Sequence, residues 1–266
     1  MTAQSRTEIA ALLARHDLSP EHRLGQHFLA DANITRKIVD LAEVRPGDRV
    51  VEVGAGTGTL TAALAAAGAH VIAYEVDEGL RPLLEEVTSG LDVDLRFVDV
   101  MRVDLSADLK GEPWKMVANL PYNVGTPLFL DALRTAPQIQ RFVIMVQREV
   151  AERLVARPGG RDYGLPSVVA GIHGSTRLAF RVPAQVFYPA PNVESAVVVL
   201  DRVPAPESSE RAIEIAAAGF QQRRKMLRRS LAGTFADPVS ALELAGIAPT
   251  ARAEDLSPGD YLRLAS

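Results

Sequence analysis

The chain contains no cysteine, which excludes disulfides, thiolate zinc sites and a cysteine nucleophile. It lacks any apolar run near the roughly 20 residues that span a bilayer. Its first residues, Met1-Thr-Ala-Gln-Ser-Arg-Thr-Glu8, have no basic start, and Ile9–Leu13 is too short for a signal core. A soluble cytoplasmic protein is the expectation. There is no internal repeat and no low-complexity tract, and there is no excess of positive charge. With 29 Lys+Arg against 33 Asp+Glu the net charge is −4, so any nucleic-acid contact must come from local patches rather than bulk charge. What is present is 266 residues, 47% hydrophobic and 23% charged, enough to bury a sizeable core as one large domain plus a small one.

Apolar spacing predicts a lead-in helix over residues 5–16, with Ile9, Leu12 and Leu13 on one side, and a second helix over 34–44, stopped by Pro46-Gly47-Asp48. The β-branched run Arg49–Val53 then reads as a strand. It enters the turn Gly54-Ala-Gly-Thr-Gly-Thr59, which opens an Ala/Leu-rich helix over 60–67. Strands at 70–74, 95–98, 115–118 and 141–147 alternate with helices at 79–87, 126–133 and 149–156, and two more strands follow at 175–182 and 195–201. This alternation predicts an α/β fold, a mostly parallel sheet with helices on both faces. Val203-Pro-Ala-Pro-Glu-Ser-Ser reads as a linker, giving domains 1–202 and 203–266, the second all-helical.

Three glycines between a strand and a helix let the chain turn tightly and approach a ligand. Gly54 and Gly56 sit where a nicotinamide fingerprint has its first two glycines, but Thr59 stands where its third belongs, and no Gly-Lys-Ser/Thr follows for a phosphate loop. Glu75 follows the next strand, where a carboxylate can accept both hydroxyls of a ribose. Asp99 follows the third strand beside the same crevice, whereas Asp77 reads as an ordinary solvated turn residue. Together these describe a nucleoside pocket. Asn119-Leu120-Pro121-Tyr122 then supplies a side-chain carbonyl, a backbone carbonyl, a stiff turn and an aromatic face. That set suits the exocyclic amine of an adenine. No metal ligand set is evident.

The segments Gly25-Gln-His-Phe-Leu29, Glu52-Val-Gly-Ala-Gly-Thr-Gly58, Glu75, Asp99, Asn119-Leu-Pro-Tyr-Asn123, Gln147-Arg-Glu-Val-Ala-Glu-Arg153 and Val186-Phe-Tyr-Pro-Ala-Pro-Asn-Val-Glu-Ser195 cover nearly the whole chain. In them the sequence resembles the KsgA family of small-subunit rRNA adenine N6,N6-dimethyltransferases. The resemblance implies a Rossmann-like methyltransferase domain with a small helical C-terminal domain. It also implies S-adenosyl-L-methionine as cofactor, and as product two dimethylated adjacent adenosines in the 3′-terminal hairpin of 16S rRNA, made during ribosome assembly. It places the cofactor against His27, Leu29, Gly54, Gly56, Glu75, Asp99 and Asn119. Catalysis falls to Asn119, Leu120, Pro121 and Tyr122, with Phe187 on the far side of the target base. The family's usual Gly-Gln-Asn-Phe-Leu reads Gly-Gln-His-Phe-Leu here, which puts His27 apart from the rest.

Arg223-Arg-Lys-Met-Leu-Arg-Arg229 holds five cations in seven residues, with Phe220, Leu227 and Leu231 at the spacing of an opposite helical face. It reads as a docked helix whose Arg223, Arg224, Lys225, Arg228 and Arg229 face RNA phosphates. Arg157 and Arg161 form a second candidate patch. The partner expected is the small ribosomal subunit or its precursor, with no membrane, no DNA and a monomeric protein. Three other readings compete: a large-subunit rRNA methyltransferase that confers macrolide resistance, a DNA adenine methyltransferase, and an RNA-binding assembly factor without turnover. Leu120, Thr126-Pro127 and Gln222-Arg-Arg-Lys-Met-Leu-Arg favour the small-subunit family over the first. The absence of a sequence-reading domain disfavours the second, and the intact Gly54 turn, Glu75, Asp99 and Asn119 disfavour the third.

Overall fold

Val50, Val51 and Val53 are buried, as are Val71–Tyr74 and Val197–Leu200, and burial of successive residues suits strands covered on both faces. The computed structural model describes residues 4–111, 113–122 and 124–266. In chain order the elements are α1 (Arg6–Arg15), β1 (Phe28–Leu29), α2 (Ala32–Ala42), β2 (Arg49–Val53), α3 (Thr59–Ala66), β3 (His70–Glu75), α4 (Arg81–Val87) and β4 (Val93–Phe97). Then come α5 (Leu105–Asp108), β5 (Trp114–Asn119), α6 (Gly125–Thr135), β6 (Ile139–Gln147), α7 (Arg148–Leu154), α8 (Leu165–His173), β7 (Gly174–Val182), β8 (Phe187–Tyr188) and β9 (Ser195–Arg202). Four helices close the chain: α9 (Ser209–Gln221), α10 (Leu227–Ser230), α11 (Pro238–Leu244) and α12 (Pro258–Ala265).

The chain divides into two compact units. One runs from the N-terminal residues to Ala151 and takes in Arg177–Asp201; the other is Glu152–Thr176 with Arg202–Ser266. In the first, seven strands form one sheet in the order β4-β3-β2-β5-β6-β9-β7. β2, β3, β4, β5 and β6 run parallel to one another, and β9 runs antiparallel to β6. The chain leaves β2 toward β3 on one side and later returns to β5 on the other, so the strand order reverses between β2 and β5. Ligands of open α/β sheets bind at the carboxyl ends of strands beside such a reversal.

Local chemistry sets the helix limits. Asp31 Oδ1 accepts from the N–H groups of Asn33 and Ile34, both at 2.9 Å, and starts α2; Glu43 in the left-handed region ends it. α6 packs on the sheet through Phe129, edge-on to Phe142 with ring centroids 5.4 Å apart. β1 and β8 form a separate antiparallel pair, Phe28 opposite Tyr188 and Leu29 opposite Phe187. Sequence spacing gave no sign of strands this short.

The second unit holds α8 against α9 and α12. α8 went unread in the sequence because Val168, Val169 and Ile172 are β-branched and Pro166 and Gly171 interrupt the pattern. The sequence boundary at 202 leaves α8 with the first domain, but its buried Val168, Val169 and Ile172 group with the C-terminal helices. Phe220 lies between Tyr163 and Tyr261, whose hydroxyls donate to the carbonyls of Leu256 and Ala253, each at 2.7 Å.

The basic run is not the continuous helix expected. α9 ends at Gln221, Lys225 N–H closes a turn on the Gln222 carbonyl, and Met226 is extended and bridged to Arg252. Leu227 N–H donates to the Ala251 carbonyl before the four-residue α10 begins. Leu227 and Leu231 are buried as predicted. The non-local bridge, which sequence periodicity does not reveal, breaks the helix between them. No helix among the described residues is long and apolar enough to cross a membrane.

A Cβ built on Gly171 of α8 would lie 2.6 Å from Pro258 Cγ of α12. Gly171→Val is therefore expected to destabilise the protein by about 1–3 kcal/mol, the usual cost of overpacking. Chemical denaturation checks this, and an unchanged midpoint contradicts the close α8–α12 contact.

Candidate active site

A cavity of about 260 Å³ opens at the carboxyl ends of β2 and β5. His27, Leu29, Gly54, Gly56, Glu75, Asp99, Asn119, Leu120, Pro121 and Tyr122 all line it, so the structure brings together every predicted cofactor and catalytic residue except Phe187.

Gly54, Gly56 and Gly58 have φ of 79°, 57° and 76°, which side-chain-bearing residues adopt only with strain. The turn is also crowded. A Cβ on Gly54 would meet the Pro121 ring at 3.4 Å, and one on Gly56 would lie 2.9 Å from Phe28 Cδ1. The N–H groups of Gly54 and Ala55 both donate to the Tyr74 carbonyl, and Gly58 N–H donates to the Ala55 carbonyl. The glycines thus serve close approach more than they offer free amides.

Glu75 locks this turn to the end of β3. One carboxylate oxygen accepts from Gly56 N–H at 2.8 Å, and the other from the N–H groups of Val76 and Asp77 at 2.8 and 3.0 Å. A carboxylate offers roughly four acceptor positions, so one remains for a ligand hydroxyl. Burial pushes the Glu75 carboxyl above its ordinary value, against the three amides that pull it down. Asp99 is more open: its side chain is 46% exposed, accepts from Met101 N–H at 3.0 Å and lies 3.7 Å from Arg102 Nε. Val76 and Val98, both exposed, line the cavity beside these two acids and offer apolar faces to a flat ring.

Glu52 also lines the cavity, a residue to which sequence reasoning gave no role. It is 1% exposed, and its Oε2 has no hydrogen-bond partner among the described residues. Burial pushes its carboxyl up to about 8, and the nearby Glu75 charge acts in the same direction. A single acid inside an apolar strand, just ahead of a glycine turn, was the available signal.

The segment Gly25–Leu29 is held in place by contacts from four directions. Gln26 accepts from Glu21 N–H and donates to Asp77 Oδ2 at 2.7 Å, so Asp77 anchors this loop rather than standing as a solvated turn residue. His27 Nδ1 lies 2.8 Å from the Pro189 carbonyl, which can only accept, so that nitrogen carries its hydrogen. Phe28 and Leu29 pair with β8. The His27 carbonyl accepts from Asn119 Nδ2 at 3.2 Å.

That last bond orients the Asn119 amide. With Nδ2 donating to His27, Oδ1 is left as the outward group, and among the described residues no donor is bonded to it or to the Leu120 carbonyl. The Pro121 carbonyl accepts from Gly125 N–H at 2.7 Å and starts α6. Tyr122 is half-buried, its hydroxyl 2.7 Å from Ser195 Oγ and its ring 5.6 Å from the His27 ring at 30°. Burial raises the Tyr122 phenol above its ordinary value. Asn123 lies outside the described residues.

Phe187 is the exception among the predicted catalytic residues. It is fully buried in the hydrophobic core of the first unit and presents no face to the cavity. β8 pairs with β1, strand alternation sends Phe187 inward, and the half-buried Tyr188 takes the opposite face.

In the second unit Arg224, Lys225, Arg228 and Arg229 are exposed, with no ion-pair partner among the described residues. Arg223 differs: its Nε is 2.7 Å from Glu254 Oε2 and its Nη2 donates to the Arg161 carbonyl at 2.9 Å. No group of three or more potential metal ligands occurs among the described residues.

Comparison with known proteins supplies a context for this geometry. The family model described as ribosomal RNA adenine dimethylase matches residues 19–266. The chain is 44% identical over 269 residues to the ribosomal RNA small subunit methyltransferase A of Phenylobacterium zucineum, covering 100% of this chain and 94% of that protein. It is also 44% identical over 274 residues to the protein of the same name from Nocardia farcinica, covering 97% and 93%. Among solved structures, a dimethyladenosine transferase from Plasmodium falciparum shares the fold, with a TM-score of 0.76 at 23% identity over 90% of this chain and 96% of that one. The 23S rRNA methyltransferase ErmE matches with a TM-score of 0.69 at 28% identity over 90% and 98%.

The buried Glu52 carboxyl makes a pH prediction. Its folded pKa lies above its ordinary value of 4.5, so its contribution to stability is complete below that value and is lost as pH rises through about 8. Thermal melts of the protein without added ligand are expected to show Glu52→Gln gaining on the wild type between pH 5 and pH 8.5 (roughly the two sides of this shift). Parallel melting curves across that range contradict the assignment.

Proposed function

The chain belongs to the ribosomal RNA adenine dimethylase family, and from that premise we propose that it transfers methyl groups from S-adenosylmethionine to the N6 amino groups of two adjacent adenosines in the 3′-terminal hairpin of small-subunit rRNA. The curated relatives at 44% identity are small-subunit enzymes, which favours this subunit over the large one. On the same reading the protein works as a monomer in the cytoplasm, where ribosomal subunits assemble. The observation that carries the proposal is one cavity with two sets of open acceptors. Glu75 and Asp99 stand on one side, and Asn119 Oδ1 and the Leu120 carbonyl on the other.

The residues present fit such a cofactor. Glycines 54 and 56 let the turn pack directly against Pro121 and Phe28 at the cavity wall, Glu75 keeps one acceptor position for a ribose hydroxyl, and Asp99 offers a carboxylate to an adenine amine. Glu52 holds an unpartnered buried oxygen in the same cavity. His27 and Leu29 line it at the start of β1. When bound, S-adenosylmethionine supplies an electrophilic methyl group, and alignment is left to the protein.

The lone pair of an adenine N6 is delocalised into the ring and is a poor nucleophile. Asn119 Oδ1 and the Leu120 carbonyl accept the two amine hydrogens, which favours a tetrahedral nitrogen with its lone pair aimed across the cavity. As positive charge develops on that nitrogen, the same two oxygens stabilise it. Pro121 fixes the direction of the Leu120 carbonyl, and the Tyr122 ring, anchored through Ser195, stacks on the everted base. The proton leaves the methylated nitrogen to water, so no general base is assigned. The exposed cations of the Arg223–Arg229 segment meet RNA phosphates.

Methyl transfer from labelled S-adenosylmethionine to under-methylated small subunits, with the product nucleoside identified as N6,N6-dimethyladenosine, tests the proposal; transfer to large subunits instead refutes it. Asn119→Ala is expected to slow transfer by about a hundredfold or more while RNA binding and the thermal melt stay close to wild type. Near-normal transfer by that variant removes Asn119 from the catalytic role.

A further inference from the structure

The sequence offers two separate basic patches, Arg157 with Arg161 and the run from Arg223 to Arg229, and the second unit joins them. Gly160 N–H closes a turn on the Arg157 carbonyl, and the neighbouring Gly159 N–H donates to the Glu254 carbonyl at 2.7 Å. The Glu254 side chain accepts from Arg223 Nε at 2.7 Å, and Arg223 Nη2 reaches the Arg161 carbonyl at 2.9 Å. Glu254 thus holds one loop by its backbone and the other by its carboxylate, and Arg223 ties the two loops together.

We propose that Arg223 and Glu254 are positioning residues, a clamp that fuses the 157–161 loop and the 222–229 segment into one phosphate-facing surface, with Arg157 and Arg161 as additional RNA-binding groups. This rests on the RNA-substrate reading above and extends it. Arg157, Arg161, Arg224, Lys225, Arg228 and Arg229 are all exposed, and none has an acidic partner among the described residues. The nearby acids are mostly engaged, Glu254 with Arg223 and Asp255 with the Arg252 N–H, which leaves Asp162 as an exposed acid on the loop. In a chain of net charge −4, six open cations across two adjoining loops complement a polyanion backbone. A guanidinium bound both to a carboxylate and to a backbone carbonyl suits a fixed fork, which lysine cannot reproduce.

The test is binding of under-methylated small subunits across a salt series. Arg157→Ala with Arg161→Ala is expected to weaken binding and reduce the salt slope by about 2, roughly one for each phosphate no longer neutralised; an unchanged slope overturns the proposal. Glu254→Ala separates the two roles of Arg223 by sign. A clamp predicts weaker binding despite the removal of a negative charge, whereas a direct phosphate contact predicts equal or tighter binding, which overturns the clamp. Arg223→Lys must likewise bind less well than wild type, since retention of full affinity by that variant also overturns it. If Glu254→Ala melts before it can be assayed, Glu254→Gln, which keeps an acceptor for Arg223, and the exposed Arg157/Arg161 pair decide the matter. Glu254→Gln is expected to bind more tightly than Arg223→Lys, and the reverse order overturns the clamp. As a control, Arg224→Ala with Arg228→Ala and Arg229→Ala probes the RNA surface itself. If that triple variant also binds subunits normally, the docking reading has failed, and not only the clamp. Anionic phospholipid vesicles captured by the wild type but not by the Arg157/Arg161 variant, with subunit binding unaltered, would reassign the surface to lipid.

Discussion

A single hydrogen bond from Asn119 Nδ2 to the His27 carbonyl sets the polarity of the site. An asparagine amide can present either a donor or an acceptor, and which one it shows depends on what the other end touches. With its nitrogen committed to the loop before β1, Asn119 shows an oxygen to the cavity, as recognition of an amine requires. The acceptor on the loop is a main-chain atom. The side chain at position 27 is therefore not what orients Asn119, and the loop is secured by β1–β8 pairing and by Gln26 on Asp77.

The other half of the cavity is lined by carboxyl groups. Glu52, Glu75 and Asp99 line it, and the Arg102 guanidinium, 3.7 Å from Asp99, is largely solvent-exposed. Burial penalises the ionised forms of Glu52 and Glu75. A cationic ligand relieves that penalty, because an opposite charge nearby favours the ionised carboxylate. A sulfonium fits this preference.

What was legible in the sequence was local. The strand, glycine turn and helix around Gly54, the acids at Glu75 and Asp99, and the Asn119–Tyr122 segment each follow from the order of residues over a few positions, and the fold brings them to one crevice. What was not legible depended on distant partners. The direction in which Phe187 points is decided by its pairing with Leu29 in β1, and the basic run is broken because Met226 bridges Arg252. The two arginine patches are linked through Glu254 and Arg223, which lie far apart in the sequence. α8 is hidden for a different reason: its valines and isoleucine carry weak helical preference, and packing on α9 and α12 overrides it.

The central claim is that Asn119 Oδ1 and the Leu120 carbonyl together receive the substrate amine. It is tested most directly by a crystal structure of the protein with S-adenosylhomocysteine and a short RNA carrying the target adenosines. The account predicts an everted adenine stacked on Tyr122, its N6 within hydrogen-bond distance of both oxygens, with Asn119 Nδ2 still bonded to the His27 carbonyl. An adenine amine bound elsewhere, or an Asn119 that turns its nitrogen toward the base, would contradict it.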